Sequence, residues 1–148
     1  MTSHITTLDL GHEHDWSRFL VPAARALFAF IFLYSASGHF TAQSIAYAAQ
    51  AGVPFPEILV PFSGVLALVG GLSVLLGYKA KLGAWLLVLF LVPVTLTMHR
   101  FWGLDDPMQV MLQRGMFLKN VTILGGALFI AYFGAGPLSF DELKKQAS

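Results

Sequence analysis

Six side chains able to donate, accept or move protons fall at or near the ends of long apolar runs: His39, Glu57, His99, Arg100, Lys119 and Asn120. An imidazole exchanges protons near neutral pH. An ammonium or guanidinium stabilises negative charge as it develops on an oxygen. Together these types suit a polar pocket for an anionic or quinone-like head group. In that reading His39 or His99 exchanges protons while Lys119 and Arg100 hold charge. Lys119 has a second reading, in which its ammonium snorkels outward past Arg114. A metal site built from His39, His99 and Glu57 is a third, weakened by their wide separation along the chain. Arg25 stands apart as an intramembrane cation. Contact with lipid phosphate, Asp141 or a freed carbonyl makes a structural role fit it better than a catalytic one.

Other chemistry is narrowed quickly. The chain has 0 cysteines, which excludes disulfides, thiolate catalysis, Cys-ligated iron–sulfur clusters and CxxCH haem attachment. Gly11-His12-Glu13-His14 offers two imidazoles in a polar tail, too few ligands to hold a transition metal tightly. No phosphate-binding Gly loop, HExxH or GxSxG pattern occurs. A net charge of +1 gives no electrostatic footprint for nucleic acid. A quinone is the one cofactor the pocket suggests.

The elements that must position these groups belong to a membrane. Apolar residues make up 56% of the 148 and charged ones 11%, against about 25% charged in soluble domains. Mean hydropathy is +0.69. A bilayer core of roughly 30 Å needs about 20 helical residues to cross it. Phe19–Gly38, Ile58–Tyr78, Leu82–Met98 and Met116–Phe133 each come near that length. Backbone polar groups find no water in hydrocarbon, so each run is expected to be a helix. A soluble bundle would need polar stripes that Leu82–Val94 lacks. The expected fold is therefore an all-α integral membrane bundle of four transmembrane helices. Thr41–Ala51, too short and polar to cross, forms a short interfacial helix between the first two spans.

Residues 1–16 read as a polar tail, 17–137 as the transmembrane domain and 138–148 as a cytoplasmic tail. Met1–Ser17 holds no Lys or Arg, unlike a secretory signal. Ser17 is placed to cap the first helix. With both termini inside, Arg18, Lys79, Lys81, Lys144 and Lys145 face the cytoplasm, against Arg100, Arg114 and Lys119 outside. That asymmetry favours N-in, C-in by the positive-inside rule. Roughly 27 Å of helix separates Lys81 from His99, which brings His99 and Arg100 to the outer face. Counting about 20 residues back from Gly134 leaves Lys119 roughly 7 Å below that face, with Glu57 its nearest acid. Ser63, Ala67 and Gly71 recur every four residues, a stripe that lets helices approach closely. Such glycine-rich faces serve a homo-oligomer or are consumed within one chain.

The order of several short motifs resembles the DoxX family of small four-helix bacterial membrane proteins. The resemblance runs from about Arg25 to Asp141. Ser37-Gly38 closes the first helix, Gly52-Val53-Pro54 opens the second, and Gly70-Gly71-Leu72 through Leu76-Gly77 closes it. Met98-His99-Arg100-Phe101-Trp102, Phe117-Leu118-Lys119-Asn120, Leu124-Gly125-Gly126 and Gly134-Ala135-Gly136-Pro137-Leu138-Ser139-Phe140-Asp141 follow. The resemblance implies a bacterial inner-membrane subunit associated with quinone- or thiol-linked oxidoreductase complexes. Two positions depart from it. His39-Phe40 stands where members often carry a Lys, and Ala67 where many carry a Glu. Losing that carboxylate removes a natural partner for an embedded cation. The alternative is a non-catalytic membrane scaffold or assembly factor for a partner complex. A transporter fits poorly, because four helices without visible inversion leave little room for alternating access.

Overall fold

Lipid leaves an apolar segment no hydrogen-bond partner but itself, and the four apolar runs fold accordingly. The computed structural model describes residues 15–147. The long helices are α1 (Leu20–Ala36), α3 (Pro56–Leu76), α4 (Ala80–Met98) and α5 (Pro107–Phe133). A short α2 (Ala42–Gln50) links α1 to α3, and α6 (Phe140–Gln146) follows α5. The four long helices are each apolar and long enough to cross a membrane. Among the described residues no strand occurs. Large apolar side chains point outward, with Leu27 79% and Phe129 68% exposed. Water would penalise so continuous an apolar exterior, and lipid does not. The chain is a multi-pass, all-helical membrane protein.

Packing runs through α3, which lies against α1 and α4, while α4 lies against α5. Phe32, Ala67, Val74, Leu87, Phe90 and Ala127 meet in one core drawn from all four long helices. Glycines on α3 make the close approaches possible. A Cβ at Gly70 would stand 2.7 Å from Leu87 and 2.9 Å from the Gly83 carbonyl. The small-residue stripe of α3 is thus spent inside one chain. Gly115 and Gly125 of α5, by contrast, face open space.

Ser17 does not cap α1. It falls within a 3-10 turn, Asp15–Phe19, that runs straight into the helix, and no side chain caps the junction. A hydroxyl inside a turn has no free N–H ahead of it to accept from. The stronger device lies where α5 stops. Gly134 ends that helix, and the carbonyls beyond it turn inward onto Arg25, which is only 5% exposed. Arg25 Nη1 donates to the Ala135 carbonyl at 2.9 Å and Nη2 to the Leu138 carbonyl at 2.7 Å. Of the partners open to Arg25 in the sequence, freed carbonyls are the ones it takes. Asp141 continues the fastening by accepting from the Lys79 and Ala80 N–H groups at 2.7 and 2.9 Å, which caps α4. Gly77, in the left-handed region at φ 65°, sits so close that a Cβ would press on Ser139 and on Arg25 Nη1.

Removing the guanidinium strands the buried Ala135 carbonyl, at about 1–3 kcal/mol, and frees the part-buried Leu138 carbonyl at a smaller cost. Arg25→Met is therefore expected to lower the thermal midpoint in detergent clearly, and Arg25→Lys to recover only part of the loss. Gly77→Ala should do similar harm through crowding. Unchanged melting of Arg25→Met would mean that the fastening contributes nothing.

Candidate functional site

At the other end of the bundle the helices part around a cavity of about 1040 Å³. Ligand sites commonly occupy about 300–1,000 Å³. All five helices from α1 to α5 contribute to its wall. Ile31 and Phe32 come from α1, Tyr47 from α2, Leu66 from α3, Phe90 from α4 and Ile123 from α5. His39, His99, Lys119 and Asn120 line it as well. Four of the six residues nominated from sequence therefore share one space. Glu57 and Arg100 do not line it; both are exposed.

The histidines are held by different networks. Ser63 Oγ donates to the Val60 carbonyl at 2.7 Å, so its one hydrogen is spent. His39 Nδ1, 2.9 Å from the same oxygen, must then be the donor. The His39 ring also meets the edge of Phe90, with centroids 5.5 Å apart. His99 Nδ1 lies 3.0 Å from Gln113 Oε1, and the Gln113 amide donates to the Tyr47 hydroxyl at 3.2 Å. An amide oxygen only accepts, so His99 also donates from Nδ1. Each imidazole keeps its Nε2 unengaged among the described residues.

Lys119 and Asn120 behave differently. The Lys119 ammonium has the Met116 sulfur, 3.3 Å away, as its partner, and a thioether is a weak acceptor. Glu57 does not reach it. Because α4 is the helix that packs against α5, the start of α3 is not its neighbour. Asn120 is 7% exposed, and its side chain makes no hydrogen bond to any described residue. Its amide atoms stay open to the cavity, because the one fully enclosed side-chain nitrogen or oxygen without a partner among the described residues is Arg25 Nε.

The three-residue metal reading is also overturned. Among the described residues no group of three His, Cys, Asp or Glu is placed to hold a metal. Glu57 lies in the exposed first turn of α3, off the cavity wall that His39 and His99 share. Gly11-His12-Glu13-His14 lies outside the described residues. Sequence reasoning missed Ser63, Gln113 and Tyr47 as parts of the site. Gln113 and Asn120 stand seven apart on one face of α5, a signal that was available.

Fold and cavity together define a multi-pass helical membrane protein with a largely apolar space edged by polar side chains. The chain belongs to the SURF4 family, whose profile matches residues 6–147. It is 34% identical over 84 residues to the ER-derived vesicles protein ERV29 of Saccharomyces cerevisiae, covering 57% of this chain and 27% of that one. It is 30% identical over 135 residues to a Surfeit locus protein 4 homolog of Schizosaccharomyces pombe, covering 90% and 40%. Inner membrane protein YqjF of Escherichia coli is 27% identical over 125 residues, covering 83% and 90%. The chain thus spans well under half the length of the eukaryotic relatives it matches. No solved structure matches it. The DoxX resemblance is corrected by the family match. Its carriers were mostly Gly pairs and Gly–Pro stops, which any small, tightly packed helical bundle needs. The quinone- or thiol-linked redox role that rested on it loses its support.

The Tyr47–Gln113–His99 chain joins α2, α5 and the end of α4. Gln113→Leu should destabilise the fold by about 1–2 kcal/mol. Tyr47→Phe should cost little more once Gln113 is gone, because the two act through one network. Fully additive effects in denaturant or thermal unfolding would count against the bridge.

Proposed function

We propose that this chain is a non-catalytic membrane protein that works by holding a guest molecule in the cavity between α1 and α5. The observation that carries the reading is the cavity itself, largely apolar, with a polar fringe at α2 and His99 and a buried, unpartnered amide on its wall. Membership of the SURF4 family supports a membrane role of this kind. One relative is named for ER-derived vesicles and another for the bacterial inner membrane. The near-full coverage of the latter supports a bacterial cell membrane as the location. Arg18, Lys79, Lys81, Lys144 and Lys145 support both termini lying on the cytoplasmic side.

Two measurements test this. A photoreactive residue replacing Leu66, on the cavity wall, should cross-link a discrete guest, whereas one replacing outward-facing Leu27 should label bulk lipid only. Equal labelling at both positions would defeat the binding role, and quinone turnover by the purified chain would restore the redox one. A C-terminal reporter that is active only in the cytoplasm should be active on this chain; silence would reverse the topology.

A further inference from the structure

We infer that the cavity receives a single-chain amphiphile with an anionic oxygen head, a carboxylate or a phosphate, taken from the lipid phase. This rests on the binding role proposed above and names the class of guest. Its polar contacts are Lys119 and Asn120. Lys119 is the one fully charged side chain on the wall, and no Asp or Glu lines the cavity. Its ammonium has no oxygen partner among the described residues, only the Met116 sulfur. Asn120, more than nine-tenths buried and unpartnered, lines the same space beside it.

An ammonium and an amide N–H are both donors, so the matching guest atom is an acceptor. Charge-assisted bonds from an ammonium favour carboxylate or phosphate over neutral oxygens. The two imidazoles do not compete for that role, because His39 and His99 give their Nδ1–H groups to Ser63 and Gln113, and Gln43, Ser44, Tyr47 and Gln50 on α2 are uncharged.

The rest of the wall asks for an alkyl chain. Ile31, Phe32, Leu66, Phe90 and Ile123 present hydrocarbon to it. Leu59, Phe62 and Leu89 belong both to the wall and to the exposed outer surface, so the cavity is continuous with the lipid-facing exterior. An amphiphile can therefore enter from the bilayer without crossing water. Along α4 the wall runs from Leu89 to Met98, about 13.5 Å at 1.5 Å per residue, close to the ~15 Å of one leaflet. A single medium-length chain suits that depth.

The full chain, purified in mild detergent, is to be titrated with three probes of equal chain length: dodecanoate, dodecyl phosphate and uncharged monododecanoyl glycerol. Native mass spectrometry reads the bound fraction. At least one anionic probe is expected to bind about tenfold or more tightly than the glyceride, and the better of the two assigns the head as carboxylate or phosphate. Lys119→Met, at an exposed position, should abolish that preference by lowering the affinity for the anionic probe to that for the glyceride. Asn120→Leu should weaken the anionic probe while holding the thermal midpoint, because the Asn120 side chain makes no hydrogen bond to any described residue. Asn120→Asp should repel the anion. Equal binding of all three probes, or an anionic preference that survives Lys119→Met, overturns the inference. Absence of probe binding beside a discrete cross-link at the Leu66 position also overturns it and leaves the binding role intact. Loss of both defeats that role too.

Discussion

A guanidinium at the level where the last long helix stops has to find its acceptors within the chain, and Arg25 finds them in the carbonyls of Ala135 and Leu138. Those carbonyls are free because Gly134 breaks the α-helical ladder. The same short segment carries Asp141, whose carboxylate caps α4. One cation and one anion on either side of a helix stop thus join α1, the α3–α4 turn and the C-terminal segment. They do so with backbone partners and not as an ion pair at contact distance. That choice suits a low-dielectric setting, where each charge must be hydrogen-bonded to be tolerated.

Fastening one end allows the other to stay open. Toward Gly77 the helices meet through Gly70, Gly71 and Gly83, and Val74, Ala84 and Leu87 are fully buried. Toward His99 they diverge, and α2 with the Tyr47–Gln113–His99 chain spans the gap in place of tight packing. A cavity is a loss of dispersion contacts that a bundle of this size would otherwise fill. Its persistence beside an unpartnered Asn120 is the pattern expected where stability has been given up for binding.

The membership of the SURF4 family changes how the polar residues are read. By residue type alone, His39 and His99 read as proton carriers beside a quinone-like head group. Both rings prove to be structural donors through Nδ1, and the groups left without good partners are Lys119 and Asn120. Attention moves from proton exchange to recognition.

The sequence by itself determined the solvent, the number of crossings and the ends at which charge collects. Each follows from the length of apolar runs and from hydrogen-bond demand in lipid, which are local properties. It also placed His39, His99, Lys119 and Asn120 at one end by simple counting of helical rise. Only the tertiary structure decided which side chains face one another. A helix that is apolar all round carries no stripe to announce its inward face, so rotation and neighbour choice are set by packing. That is why Glu57, the nearest acid to Lys119 by helical rise, lies apart from it, with α4 as the neighbour of α5, and why Gln113 went unnoticed and Ser63 read only as part of a packing stripe. Arg25 was legible as a buried cation. Its two carbonyls were not, because they come from more than a hundred residues away, brought to it by the fold.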